Sequence, residues 1–209
     1  MNNTRFFILL FFIGFSVSTF SQRKPYVSEK YIGLTAGMTG SIVYFKPTVE
    51  QSIQRSHEFG LVYRYIGTKH LGLETSINYN VRGWRESNDI FERELTYLDI
   101  PFLSHFNFGR NFRYFFNLGP RFSYLLSQNV VLNNGSGLAQ QVTAVPNKLE
   151  YGLQFSTGFY LKMKRQLIQI EAKANYSAVD LYPNQPIDDF DYSNSIYASV
   201  NFSWMFQLK

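Results

Sequence analysis

Apolar and polar residues alternate along about eight segments of this chain. One segment reads Ile168, Ile170, Ala172, Ala174 and Tyr176 against Gln169, Glu171, Lys173 and Asn175. Successive side chains of a strand point to opposite faces, so a period of two marks a strand with one greasy side and one polar side. The pattern predicts strands at 31–39, 57–66, 71–82, 97–108, 112–126, 149–162, 167–178 and 195–208. Each reaches or exceeds the roughly 9 to 11 residues that a tilted strand needs to cross a bilayer.

The connections alternate too. Short turns fall at 67–70, 109–111 and 163–166, whereas polar-rich stretches of about ten to twenty residues, such as 127–148 and 179–194, join the other ends. Short turns on one side and long loops on the other characterise outer-membrane barrels, whose short turns are periplasmic. An even strand count then puts both termini in the periplasm. The expected fold is all-β, an eight-stranded antiparallel up-and-down transmembrane β-barrel.

Bulky residues dominate the apolar face, among them Phe59, Leu61, Tyr63, Leu73, Ile77, Phe102, Phe106, Leu118, Phe122, Leu153, Phe155, Val200 and Phe202. Tyr65, Phe108, Tyr114, Phe159 and Trp204 fall near the turn end, and Tyr79, Tyr124, Tyr151 and Tyr176 near the loop end. Two aromatic girdles at the lipid headgroups are implied. A soluble lipocalin-like barrel would turn the same grease inward. An eight-stranded interior is only just wide enough for side chains, which argues for grease outward.

The polar face then lines the lumen. It carries Gly33, Gly37, Gly60, Gly72, Gly119, Gly152 and Gly158 together with charges of both signs: Glu58, Arg64, Glu74, Arg82, Asp99, Arg113, Arg121, Glu150, Lys162, Glu171 and Lys173. A hairpin turning about Arg110 sets Asp99 opposite Arg121. One turning about Lys69 sets Arg64 opposite Glu74 and Glu58 within a register step of Arg82. These charges are expected to form a salt-bridged plug, the alternative being a charged pore lining. Pro101 and Pro120 give no ladder donor, and a bulge in each of their strands is the expected resolution.

Composition adds the compartment. Met1-Asn2-Asn3-Thr4-Arg5, the apolar run Phe6 to Phe15 and the small residues Thr19 and Ser21 match a secretory signal peptide over 1–21, leaving a barrel domain over 22–209. The apolar run is well short of the roughly 20 residues of a spanning helix. With no cysteine among 209 residues, disulfides, cysteine catalysis and thiolate metal sites are excluded. A net charge of +5 without a Lys/Arg cluster, on an exported chain, points away from nucleic acid.

The segment Tyr97-Leu98-Asp99-Ile100-Pro101-Phe102-Leu103, with Gly119-Pro120 and Tyr124-Leu125-Leu126 downstream, resembles the PorT-like outer-membrane β-barrel family. That family has a Tyr-Leu-Glu-Ile-Pro-Leu-Leu segment and a later Gly-Pro, more often with Glu at the position of Asp99 and Lys at that of His105. The resemblance implies an outer-membrane barrel of mostly unassigned role, whose name-giving member is linked to secretion of surface proteins. A terminal aromatic is usual in signals for the barrel-assembly machinery, and this chain ends Phe206-Gln207-Leu208-Lys209.

Candidate chemistry is sparse. Of the three histidines, His70 lies in a turn, His105 on the lumen face and His57 near the loop rim, beside Ser52 and Ser56. A nucleophile needs a base within reach and a group to orient it, and no such set stands out. Asp188, Asp189 and Asp191 cluster in the last loop but lack the EF-hand spacing for calcium. No enzyme activity and no cofactor are expected. The expected partners are outer-membrane lipid, the barrel-assembly machinery and other envelope or secretion proteins. The expected role is a plugged structural or accessory barrel, with a small-solute channel, or an adhesin using 40–55 and 127–148, as alternatives.

Overall fold

In the computed structural model, which describes residues 26–46, 48, 50–87, 91–133, 144–182 and 192–209, the alternating segments form one antiparallel sheet closed on itself. The strands are β1 (Glu29–Lys46), β2 (Gln51–Ser52), β3 (Gln54–Ile66), β4 (Leu71–Glu86), β5 (Phe91–Gly109), β6 (Phe112–Asn133), β7 (Leu149–Met163), β8 (Gln166–Asp180) and β9 (Tyr192–Gln207). β2 is a two-residue pairing on β4, and the other eight strands make the barrel. β1 pairs with β9 and β4 with β5, so the ladder has no open edge within the wall. Closure is what permits strands in hydrocarbon, where no water can satisfy an unpaired backbone group.

Turn-side boundaries agree with the sequence pattern to within two residues, but the loop-side ends run further. β1 continues to Lys46 and β6 to Asn133, so parts of the stretches expected as loops at 40–55 and 127–148 are strand. Toward the loops the lumen face itself turns apolar, with Val43 and Phe45 buried beside the exposed Ile42 and Tyr44, so the apolar–polar alternation fades while the strands go on pairing. The export signal expected over 1–21 and the Asp188, Asp189, Asp191 cluster lie outside the described residues.

The β5–β6 hairpin turns about Asn111 rather than Arg110: Gly109 faces Arg113, Asp99 faces Ser123 and Pro101 faces Arg121. Gly109 has φ 119°, a conformation that needs glycine and shifts the register by two from the expected one. No bulge sits at the prolines. The register is the same on both sides of Pro101 and Pro120, although the ladder lapses beside them, between Pro101 and Ser104 on the β6 side and between Asp99 and Phe102 on the β4 side, and Thr75 Oγ1 donates to the Pro101 carbonyl at 2.8 Å. The register shifts of this pair lie instead toward the loops, between Glu92 and Arg93 and between Thr96 and Tyr97.

Grease faces outward. Leu34, Leu61, Leu73, Phe102, Leu118, Leu153, Phe155, Ile170, Val200 and Phe202 are all exposed on the outer wall. Phe108, Tyr114, Phe159 and Trp204 are exposed at the turn end, and Tyr124, Tyr151 and Tyr176 at the loop end.

Candidate functional site

The inward phase of every strand fills the lumen, and its composition changes with depth. At the turn end Tyr31, Val62, Ile66, Phe115, Tyr160, Leu167 and Met205 form an apolar layer. At the loop end Val43, Phe45, Trp84, Phe91, Leu95, Tyr97 and Leu125 form another, joined by Val145, Leu181 and Tyr182 from the strand connections. Charged and amide side chains occupy the middle. A low-dielectric layer on each side strengthens every polar contact between them and raises the cost of leaving one unpaired.

Nearest the loop-end layer, Asp99 is held by two arginines, with Arg82 Nη1 at 3.2 Å and Arg121 Nη1 at 3.4 Å. Asn80 Nδ2 and the Tyr197 hydroxyl each donate to Asp99 at 2.9 Å. The other Arg82 nitrogen reaches Glu150 at 2.9 Å, and Ser177 donates to that same carboxylate oxygen. The Arg82 guanidinium also stacks 3.8 Å from the Tyr97 ring centre, a cation–π contact that holds it without water.

Glu58 meets Lys173 at 2.9 Å at mid-depth, with Ser199 and Asn201 also donating to it. Below them Arg64 pairs with Glu74 and bonds Gln169. Asn117 Nδ2 lies between Glu74 Oε1 at 3.1 Å and Glu171 Oε1 at 3.2 Å, and Asn117 Oδ1 is 2.6 Å from His105 Nδ1. At the turn-side mouth Glu29 takes Lys162 at 2.8 Å and Arg113 at 3.3 Å, with Tyr31 donating at 2.6 Å. Glu29 is the first residue of β1, at the turn-side end of the wall. Burial pushes its carboxyl up, but the bonds from Lys162 and Tyr31 and the Arg113 charge outweigh this and hold it down at about 2.

Thus Arg64, Arg82, Arg113, Arg121, Lys162 and Lys173 stand against Glu29, Glu58, Glu74, Asp99, Glu150 and Glu171, six cations and six carboxylates in one connected lumen. Glu58 and Arg82, a register step apart in the simple hairpin, go to different partners. Further up, Arg93 bonds the Tyr182 hydroxyl at 3.1 Å and lies over the Trp84 and Phe91 rings.

Residues 4–182 match the outer membrane protein beta-barrel domain. The chain belongs to the outer membrane protein beta-barrel domain family. Membership places this barrel in the outer membrane. Among solved structures, neisserial surface protein A superposes with a TM-score of 0.53 at 10% identity, over 88% of this chain and 100% of that one. OprG of Pseudomonas aeruginosa gives 0.48 at 9% identity over 87% and 95%. Ail, the attachment invasion locus protein of Yersinia pestis, gives 0.46 at 14% over 85% and 99%. These likenesses are of fold. No curated protein matches the chain.

Three parts of this outer-membrane barrel escape a reading of the sequence by strands. Glu29 precedes the expected start of β1, although Tyr31 and Glu29 share the inward phase. The amides Asn117 and Asn201 carry no charge to draw attention. The apolar layers were in principle visible, because Val43 and Phe45 continue the odd-numbered inward phase of Thr39 and Ser41, as Phe91, Leu95 and Tyr97 do for Asp99. Among the described residues no group of three or more metal-ligating side chains occurs.

Proposed function

We propose that this outer-membrane barrel is closed to solutes and serves as an anchored structural or accessory element of the envelope. The observation that carries the reading is the layered lumen: Arg64, Arg82, Arg121 and Lys173 with Glu58, Glu74, Asp99, Glu150 and Glu171 lie between two apolar layers, and Glu29, Arg113 and Lys162 close the turn-side mouth. A solute path would need a continuous wet route, and here side chains cross the axis, as Lys173 of β8 does to Glu58 of β3. The PorT-like segment around Asp99 supports an accessory role in secretion of surface proteins. The short turns face the periplasm in this reading, together with both termini, Tyr26 and Lys209 lying at that end.

Single-channel recording of the purified protein in planar bilayers tests it. The expected record is flat, and steady, sizeable openings would establish the channel reading instead. Orientation is tested separately, because the chain has no cysteine. A cysteine at Lys69 should resist a membrane-impermeant thiol reagent in intact cells, while one at Arg55 should react.

A surface-binding role draws support from one element. Toward the loop side β6 extends past the point where β7 begins, and Val130 and Val131 are exposed on it. Exposed apolar strand outside the bilayer suits protein contact.

A further inference from the structure

The two rims of the barrel differ in charge. Among the described residues, every exposed charged side chain at the turn end is basic: Lys30, Lys69, Arg110, Lys164, Arg165 and Lys209. The carboxylates of that half, Glu29, Glu74 and Glu171, all point into the lumen. At the loop end Lys46, Arg55 and Lys148 are exposed alongside Glu50. The turn rim therefore presents uncompensated positive charge at the level of the headgroups.

Within that rim the β7–β8 turn stands apart. Met163 pairs with Gln166, which leaves Lys164 and Arg165 as a two-residue hairpin loop. Lys164 has φ 43° and is alone among the described non-glycine residues in having a positive φ. Glycine is the ordinary occupant of such a position, because a Cβ there crowds the backbone. Strain kept at a two-residue turn is a reason to look for a function of the side chains it carries.

The surroundings indicate which function. A hollow of about 570 Å³ lies against Met163, Lys164, Arg165 and Gln166. The wall strands that lead into this turn and flank it carry the exposed Leu161, Phe112, Phe159 and Trp204, with Trp204 Nε1 donating to Gln166 at 3.4 Å. Two adjacent cations at a hollow, on a turn flanked by an aromatic and aliphatic strip, match an amphiphile with an anionic head. We infer that the Lys164-Arg165 turn binds the phosphate headgroup of an anionic phospholipid, whose acyl chains lie along the β6–β7–β8–β9 wall. Arginine takes two phosphate oxygens at once and lysine adds a point charge. The assignment of that lipid to the periplasmic leaflet rests on the orientation proposed above.

The test is lipid retention by the full-length protein, extracted from bilayers of equal phosphatidylglycerol and phosphatidylcholine and examined by native mass spectrometry. The wild type should retain the anionic lipid with at least about a fivefold preference, or about 1 kcal/mol. The Lys164→Gln/Arg165→Gln variant should lose most of that preference, while Lys69→Gln/Arg110→Gln keeps most of it. Lys164→Gly/Arg165→Ser should lose it too while unfolding at an equal or higher temperature, which separates binding from folding. Equal retention by wild type and the turn variants would overturn the proposal, as would equal loss from both pairs of turns. Displacement of the lipid by excess inorganic phosphate would likewise overturn a lipid-specific site. Retention in bilayers does not depend on orientation, so a reversed cysteine-labelling pattern would move the site to the other leaflet without abolishing it.

Discussion

Asp99 shows what a single buried carboxylate does in this barrel. It is 2% exposed and joins β4, β6 and β9 through Arg82, Arg121 and Tyr197. A buried ion pair gains little net stability over an apolar replacement, yet removing one partner strands the other at roughly 3–5 kcal/mol. Asp99→Ala should therefore lower the unfolding temperature markedly, and Asp99→Ala/Arg121→Ala should recover part of the loss. Recovery should be incomplete, because Arg82 still loses a partner. Thermal unfolding of the four proteins in detergent measures the coupling, and simple additivity would show that the pair is not coupled. The inward position of Asp99 follows from its phase in β5. Its partner Tyr197 comes from the distant β9, and Arg82 of β4 stands four residues from Asn78, the position opposite Asp99, so pairing directly opposed residues across a hairpin finds neither.

For the elements, what matters is how strands on opposite sides of the barrel are tied together. Glu29 at the start of β1 reaches Arg113 of β6 and Lys162 of β7, so one carboxylate spans the turn-side mouth. Its folded pKa of about 2 lies below the ordinary glutamate value of about 4.3. A carboxyl depressed in this way contributes stability that is complete above the unfolded pKa and is lost as pH falls through the folded one. The melting temperature should thus decline between about pH 5 and pH 2, and Glu29→Gln should flatten part of that decline while lowering the plateau near neutrality. An unchanged acid profile in the variant would remove Glu29 from the account. The strand cores were legible because lipid outside and a narrow lumen inside enforce a strict period of two. Their loop-side ends were less so, since there inward residues such as Val43, Phe45, Phe91 and Leu95 are apolar as well and the alternation is lost.

For the whole molecule, closure dominates. Each of the eight wall strands is paired on both sides, so unfolding one strand exposes ladders on two neighbours. Unheated samples of outer-membrane fractions in SDS should run as a compact band that shifts on boiling, and a single unshifted band would count against a closed barrel. The charge balance of the lumen belongs to this scale as well, because Glu29 of β1, Glu58 of β3 and Glu150 of β7 meet Arg113 of β6, Lys173 of β8 and Arg82 of β4, strands far away in the chain.

Periodicity, turn spacing and the distribution of aromatics were sufficient for the barrel, its strand count, its outward grease and the identity of most lumen charges. Those properties are local: each residue's face depends only on its phase within one strand. Closure brought the rest. The two-residue offset of the β5–β6 hairpin depends on the backbone of Gly109, the ion-pair partners depend on which strands face each other across the lumen, and the apolar layers form only when inward residues from strands distant in the chain reach the same depth. The basic rim belongs to this second group, because its charge is uncompensated only after the fold has turned Glu29, Glu74 and Glu171 inward.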